Sequence, residues 1–239
     1  MTTRDETIGE MPVELDFTLA ELDPAGAICE AHENVHRDSR AAFLRKATVG
    51  GAALLGALSV VPSGGSQSAN DVDILNYALT LEYLQASFYT EAERIRALRG
   101  NAREAAEVVG AVERAHVQAL RQALGSAAVA RPTFNFAGVT EDQRQFLKTA
   151  VAFEDLAVGA YKAQAPRLRS KPILAVAVSI HSVEARHAAW MRRLFGIVPA
   201  ANAFDEPVSK PKVTRIVAST GFITSSGKTE REAKPRFTG

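Results

Sequence analysis

The sequence predicts an all-α protein: a four-helix bundle with a long crossover between its second and third helices, a flexible N-terminal region before it and a tail after it. Three observations predict this. Apolar residues between 70 and 196 recur at helical spacing in four segments bounded by Gly, Pro and capping residues. Those segments carry, in order, Glu82, a Glu-x-x-His (Glu113, His116), Glu154 and a second Glu-x-x-His (Glu184, His187). The pattern also repeats: Glu154 follows Glu82 by 72 residues, while Glu184 follows Glu113, and His187 follows His116, by 71.

Residues 1–38 are polar, with acidic clusters and no sustained apolar period, and read as disordered apart from a short helix near 17–36. His32-Glu33-Asn34-Val35-His36 matches the H-E-x-x-H zinc-protease pattern, but no third ligand and no packed domain surround it, so it reads as a chance match. Ser39-Arg40-Ala41-Ala42-Phe43-Leu44-Arg45-Lys46 then leads into an apolar run over 47–61, ended by Pro62 and a Ser/Gly stretch. That run is too short for an ordinary membrane span and has the length of an export-signal core. The stretch resembles a twin-arginine export signal, with Ala41 where the second Arg would stand. Cleavage near 66–69, or retention as an anchor, would leave the protein periplasmic, secreted or membrane-anchored; the remaining reading of the run is a packed or vestigial helix.

The first bundle helix is expected from Asn70 or Asp71, either a suitable N-cap, to about Arg99, where Gly100 and Asn101 turn the chain. Ile74, Leu75, Ala78, Leu81, Leu84, Gln85 and Phe88 form its stripe. The second runs from about Ala102 to Leu124, before Gly125. Residues 125–139 can extend about 50 Å at 3.3 Å each. That exceeds the roughly 36 Å of a 24-residue helix, so the segment can run the length of the bundle. Phe134 and Phe136 on it are expected to lid the core. Thr140-Glu141-Asp142-Gln143 reads as a capping box opening the third helix, which continues to about Ala165. The fourth starts near Ser170, with Pro172 in its first turn, and ends at Phe195. In the tail, 197–239, one short helix is expected over 209–219, with disorder after Ile223.

Residues three apart share a helix face, so each Glu-x-x-His can aim both side chains at one cation. Counted from the two hairpin turns, all six residues fall near mid-bundle. Two such pairs and two lone carboxylates suit two iron or manganese ions in a helical core. Tyr89 and Tyr161 each follow a lone Glu by seven residues, nearly two turns, and are candidates for hydrogen bonds to the carboxylates. His181, one turn before Glu184, reads as an ordinary histidine rather than a ligand, and Trp190 as a packing or interface residue.

With these residues in place, 70–196 resembles the ferritin-like domain of ferritins, rubrerythrins and manganese catalases, and most resembles the exported bacterial members related to desiccation-associated proteins. The resemblance implies Glu113 and Glu184 as bridging ligands, Glu82 and Glu154 as terminal ones, and O2 or peroxide as the oxidant. It also implies a homo-oligomer as a possible assembly and the export machinery as a transient partner.

Two function classes follow, with iron storage, which would need a many-subunit shell, as a third reading. One is di-metal redox chemistry, oxidising Fe(II) or removing peroxide in stress protection. The other is a non-enzymatic stress or envelope scaffold with structural metal or none. No further catalytic residue is assigned. No rubredoxin-like Cys pair is present, which argues against a rubrerythrin-type electron relay. The net charge of +1 argues against nucleic acid as a partner, and the single Cys29 rules out an intramolecular disulfide framework.

Overall fold

The computed structural model describes residues 68–225. The H-E-x-x-H match at 32–36, the export-like segment at 39–61 and the end of the tail from 226 onward lie outside the described residues. Five helices follow in order: α1 (Ala69–Ile95), α2 (Gly100–Leu124), α3 (Gln143–Gln164), α4 (Lys171–Phe195) and α5 (Lys210–Thr220). α1 packs chiefly on α2 and α3 on α4, and the two hairpins face each other to close an all-α bundle. Among the described residues, no helix is long and apolar enough to cross a membrane.

α1 ends four residues earlier than expected. Arg96 takes the left-handed conformation (φ 59) and its N–H returns to the Ala92 carbonyl. The turn this makes delivers Leu98 to the core, where it is 1% exposed. The start also differs from expectation, because Ser68 is the N-cap and its hydroxyl accepts from the Asp71 amide. Asp71 serves another helix instead. Its buried carboxylate accepts from the Arg169 and Ser170 amides, tying the α3–α4 turn to the foot of α1.

The crossover tracks α1 from foot to head. Asn76 holds Ala127 and Val129, the Arg131 guanidinium donates to Ser87, the Thr140 hydroxyl donates to Glu91, and the Arg99 amide donates to Gln143 Oε1. Thr140 and Gln143 therefore do not form the expected capping box. Both reach across to the first hairpin, and Asp142 caps α3 by accepting from the Gln145 amide. Ser170 caps α4 with Pro172 in its first turn, as expected.

Ser209 precedes α5, close to the expected 209–219, and α5 lies against α3 with Val213 and Val217 buried. After it β2 (Ile223–Ser225) pairs antiparallel with β1 (Thr133–Phe134) on the crossover, so Thr224 and Ser225 stand in a strand where disorder was expected, and the rest of that expectation lies outside the described residues. The reason is Phe222, which is buried edge-on against Phe136 and Phe153 and draws the following residues onto the crossover. Phe136 is more than a lid. It is 2% exposed and sits in a ring cluster with Phe88, while Phe88 stacks on Phe146 at 5.0 Å. Trp190 is half-buried and packs against this cluster, the first of the two roles expected for it.

The apolar core has two parts. One, at the α1–α2 turn, is built on Phe88, Ala105, Val109, Phe146, Phe153 and Met191. The other, at the opposite end, is built on Leu75, Leu79, Leu120, Leu124, Ile173 and Ile180. Between them the helices carry polar side chains inward.

Candidate metal centre

Glu82 enters this layer from α1, Glu113 and His116 from α2, Glu154 from α3, and Glu184 and His187 from α4. The four carboxylates are 0% exposed and the imidazoles 6% and 5%. Their helical register explains the burial. Leu81 and Leu84 beside Glu82, and Phe153 beside Glu154, belong to the core, so the same rotation that buries them turns the carboxylates inward.

His116 Nδ1 lies 3.0 Å from Glu184 Oε1, 3.4 Å from Glu82 Oε2 and 3.5 Å from Glu113 Oε2. His187 Nδ1 lies 2.9 Å from Glu113 Oε1 and 3.5 Å from Glu154 Oε2. These are short enough for hydrogen bonds, yet the N–H directions miss the oxygens. Glu82 Oε2, both oxygens of Glu113, Glu154 Oε2, Glu184 Oε1 and both Nδ1 atoms are all buried without a hydrogen-bond partner. A buried polar group without a partner costs about 2–7 kcal/mol, and ions cost more. Seven such atoms converging on one layer point to an electrophile between them. The ligand atoms form two overlapping groups, each within 4.8 Å: Glu82, Glu113, His116 and Glu184; and Glu113, Glu154, Glu184 and His187. Oxygen and imidazole donors of this kind suit a first-row metal ion.

The two tyrosines hold carboxylates, but each holds the one from the other hairpin. Tyr89 of α1 donates to Glu154 Oε1 and Tyr161 of α3 donates to Glu82 Oε1, both at 2.5 Å. Although each Tyr shares a face with its own Glu along the helix, two turns carry it too far along the axis to reach it. The antiparallel partner helix brings the other carboxylate level with it. Each bond occupies the outer oxygen and leaves Oε2 free for the centre.

The charges explain what balances the cluster in the absence of a cation. Burial pushes the Glu82 carboxyl up to about 7, against the pull of His116 and with the help of Glu113. Burial likewise lifts Glu184 well above the carboxylate range, and the charges of Glu113 and Glu82 add to it. Glu113 moves the other way. Burial would raise it, but His116 and then His187 hold it below the usual range. Burial would lower both imidazoles, yet Glu82 and Glu113 lift His116 well above its ordinary value, and Glu113 and Glu154 lift His187 to about 10. Burial, followed by the charge of the carboxylate each one bonds, raises both tyrosines, so they remain donors. Protons thus neutralise the anions where cations otherwise would.

His181 is half-buried and belongs to neither group of ligand atoms, in keeping with its reading as an ordinary histidine. One residue of the layer was read only as part of an apolar stripe. Gln85, 2% exposed and one turn after Glu82, donates from Nε2 to Glu184 Oε2 at 3.4 Å. Its signal in the sequence was a lone amide in an otherwise apolar stripe, one turn from Glu82.

The family model for the Ferritin-like domain matches residues 70–196, which spans the four long helices and all six candidate ligands. No curated protein matches the chain.

Proposed function

Because the chain belongs to the Ferritin-like domain family, we propose that its buried Glu/His layer holds two iron or manganese ions and serves redox chemistry, oxidising Fe(II) or removing peroxide. The observation that carries this reading is the convergence of seven unpartnered buried donor atoms from four helices. Their charge agrees with it, since four carboxylates with neutral imidazoles balance two divalent cations. Bound there, the ions would supply electrons to O2 or peroxide.

The protein's own part is positional. Glu113, with both oxygens unpartnered and one toward each histidine, is a shared carboxylate, and Glu184 also belongs to both groups. Glu82 and Glu154 each belong to one group only, and the tyrosine bonds fix which oxygen they present. Phe88, Phe146 and Phe153 wall one side of the layer and keep bulk water from it. Loading requires the protons now held by Glu82, Glu184 and the histidines to leave, so affinity rises with pH.

Elemental analysis of protein purified without chelator, joined to Fe(II)-oxidation and peroxide-consumption assays, tests the proposal. Two ions per chain, with turnover lost in Glu113→Ala, supports it. Full stability and no bound metal would leave the non-enzymatic scaffold reading instead. We propose also that the protein is exported and acts in stress protection, on the strength of the segment at 39–61 and the resemblance to exported members. Recovery of the chain only from the cytosol with residues 1–60 intact would reject export.

A further inference from the structure

The two halves of the layer match residue for residue, with Glu82, Tyr89, Glu113 and His116 on one side and Glu154, Tyr161, Glu184 and His187 on the other. The contacts match as well, up to one break. His116 approaches the carboxylate of its own helix, Glu113, at 3.5 Å. His187 approaches Glu113 and Glu154 but makes no such contact with Glu184 of its own helix. At that point Glu184 Oε2 is taken by the Gln85 amide, which leaves Oε1 alone unpartnered, 3.0 Å from His116. The position equivalent to Gln85, 72 residues on, is Ala157, which has no side-chain donor for Glu113. Both oxygens of Glu113 accordingly remain unpartnered.

Resting on the metal reading above, we propose that Gln85 is a positioning residue that makes the two metal positions unequal. It turns the free oxygen of Glu184 toward the Glu82–Glu113–His116 side. Glu184 belongs to both groups of ligand atoms, but the oxygen that Gln85 leaves free lies 3.0 Å from His116, and His187 makes no such contact with it. The position beside His116 fills first and more tightly. The position beside His187, whose oxygen from Glu184 is either held by Gln85 or shared with the other position, is the one open to a small exogenous oxygen ligand. Gln85 touches no ion itself and acts only through Glu184.

The test is anaerobic titration of the metal-free full chain with Mn(II), read by calorimetry and by electron paramagnetic resonance. The wild-type protein is expected to fill in two steps at least about tenfold apart in affinity, the scale on which an outer hydrogen bond changes metal binding. At one equivalent, uncoupled Mn(II) should dominate, and the coupled pair should appear only with the second. Gln85→Leu, which keeps the volume, and Gln85→Ala, which mimics position 157, should bring the steps together and show the coupled pair before one equivalent. Two steps left unchanged in whichever variants fold would overturn the role of Gln85. A wild-type chain that binds two Mn(II) with equal affinity would overturn the inequality while sparing the metal reading. A wild-type chain that binds no Mn(II) would overturn both.

Discussion

Removing Glu113 should cost the protein both ions, whereas removing Glu82 or Glu154 should cost one. The reason is geometric: Glu113 lies in both groups of ligand atoms, Glu82 only in the group around His116, and Glu154 only in the group around His187. A ligand that binds the native state alone stabilises it by about 2.7 kcal/mol when present at a hundred times its dissociation constant. Two independent sites would give about 5 kcal/mol. For a domain of this size each kcal/mol raises Tm by about 2–4 °C, so saturating Mn(II) should raise the wild-type midpoint by roughly 10–20 °C. Glu113→Ala should show almost none of that rise, and Glu82→Ala and Glu154→Ala about half of it. Each variant is compared with its own metal-free form, so loss of the carboxylate's apo-state contacts cancels. Differential scanning calorimetry of the full chain, with and without Mn(II), measures the effect. A rise in Glu113→Ala equal to that of the wild type would refute the shared-carboxylate geometry. No rise in the wild type would refute metal binding in the layer.

The other predictions concern the metal-free protein. Tyr161→Phe leaves Glu82 Oε1 buried without its donor, and Tyr89→Phe does the same to Glu154 Oε1. Each should lower stability by about 1–3 kcal/mol in urea unfolding, and neither should disturb packing. Stability without metal should fall as pH rises. Glu82, raised to about 7, and His187, raised to about 10, both bind protons more tightly in the folded chain, so their contribution is complete below their unfolded values and is lost as pH rises through the folded ones. Chemical unfolding across pH 5 to 10 reads this slope, and a rising slope would contradict it. Gly110→Ala should destabilise by about 1–3 kcal/mol, because a Cβ there would meet Tyr89 Cβ at 2.8 Å and push α2 off α1 beside the tyrosine that holds Glu154. An unchanged urea midpoint would show that the helices can yield without cost.

The candidate ligands were legible in the sequence because the geometry that presents them is local. A Glu and a His three residues apart share a face whatever surrounds the helix, and apolar neighbours such as Leu81 and Phe153 indicate that the face is buried. The four long helices were legible for the same reason, through their period of apolar residues and through Ser170, Pro172 and Gly125 at their ends. Thr140 and Asp71 were misread because a capping side chain can bond any suitable group within reach: a distant acceptor, Glu91, took the Thr140 hydroxyl, and distant donors, the Arg169 and Ser170 amides, took the Asp71 carboxylate. The strand at 223–225 was missed because only the burial of Phe222 draws that segment onto the crossover.

By itself the sequence determined an all-α bundle and which side chains face its middle, since helical periodicity is a property of three or four neighbouring residues. Only the tertiary structure decided which groups meet: Tyr89 with Glu154, Tyr161 with Glu82, and Gln85 with Glu184, pairs 65, 79 and 99 residues apart. Such partners depend on how far each helix is rotated and slid against the next. That is set by the packing of Phe88, Leu120, Phe146 and Ile173 across all four helices at once, and by no local pattern along the chain.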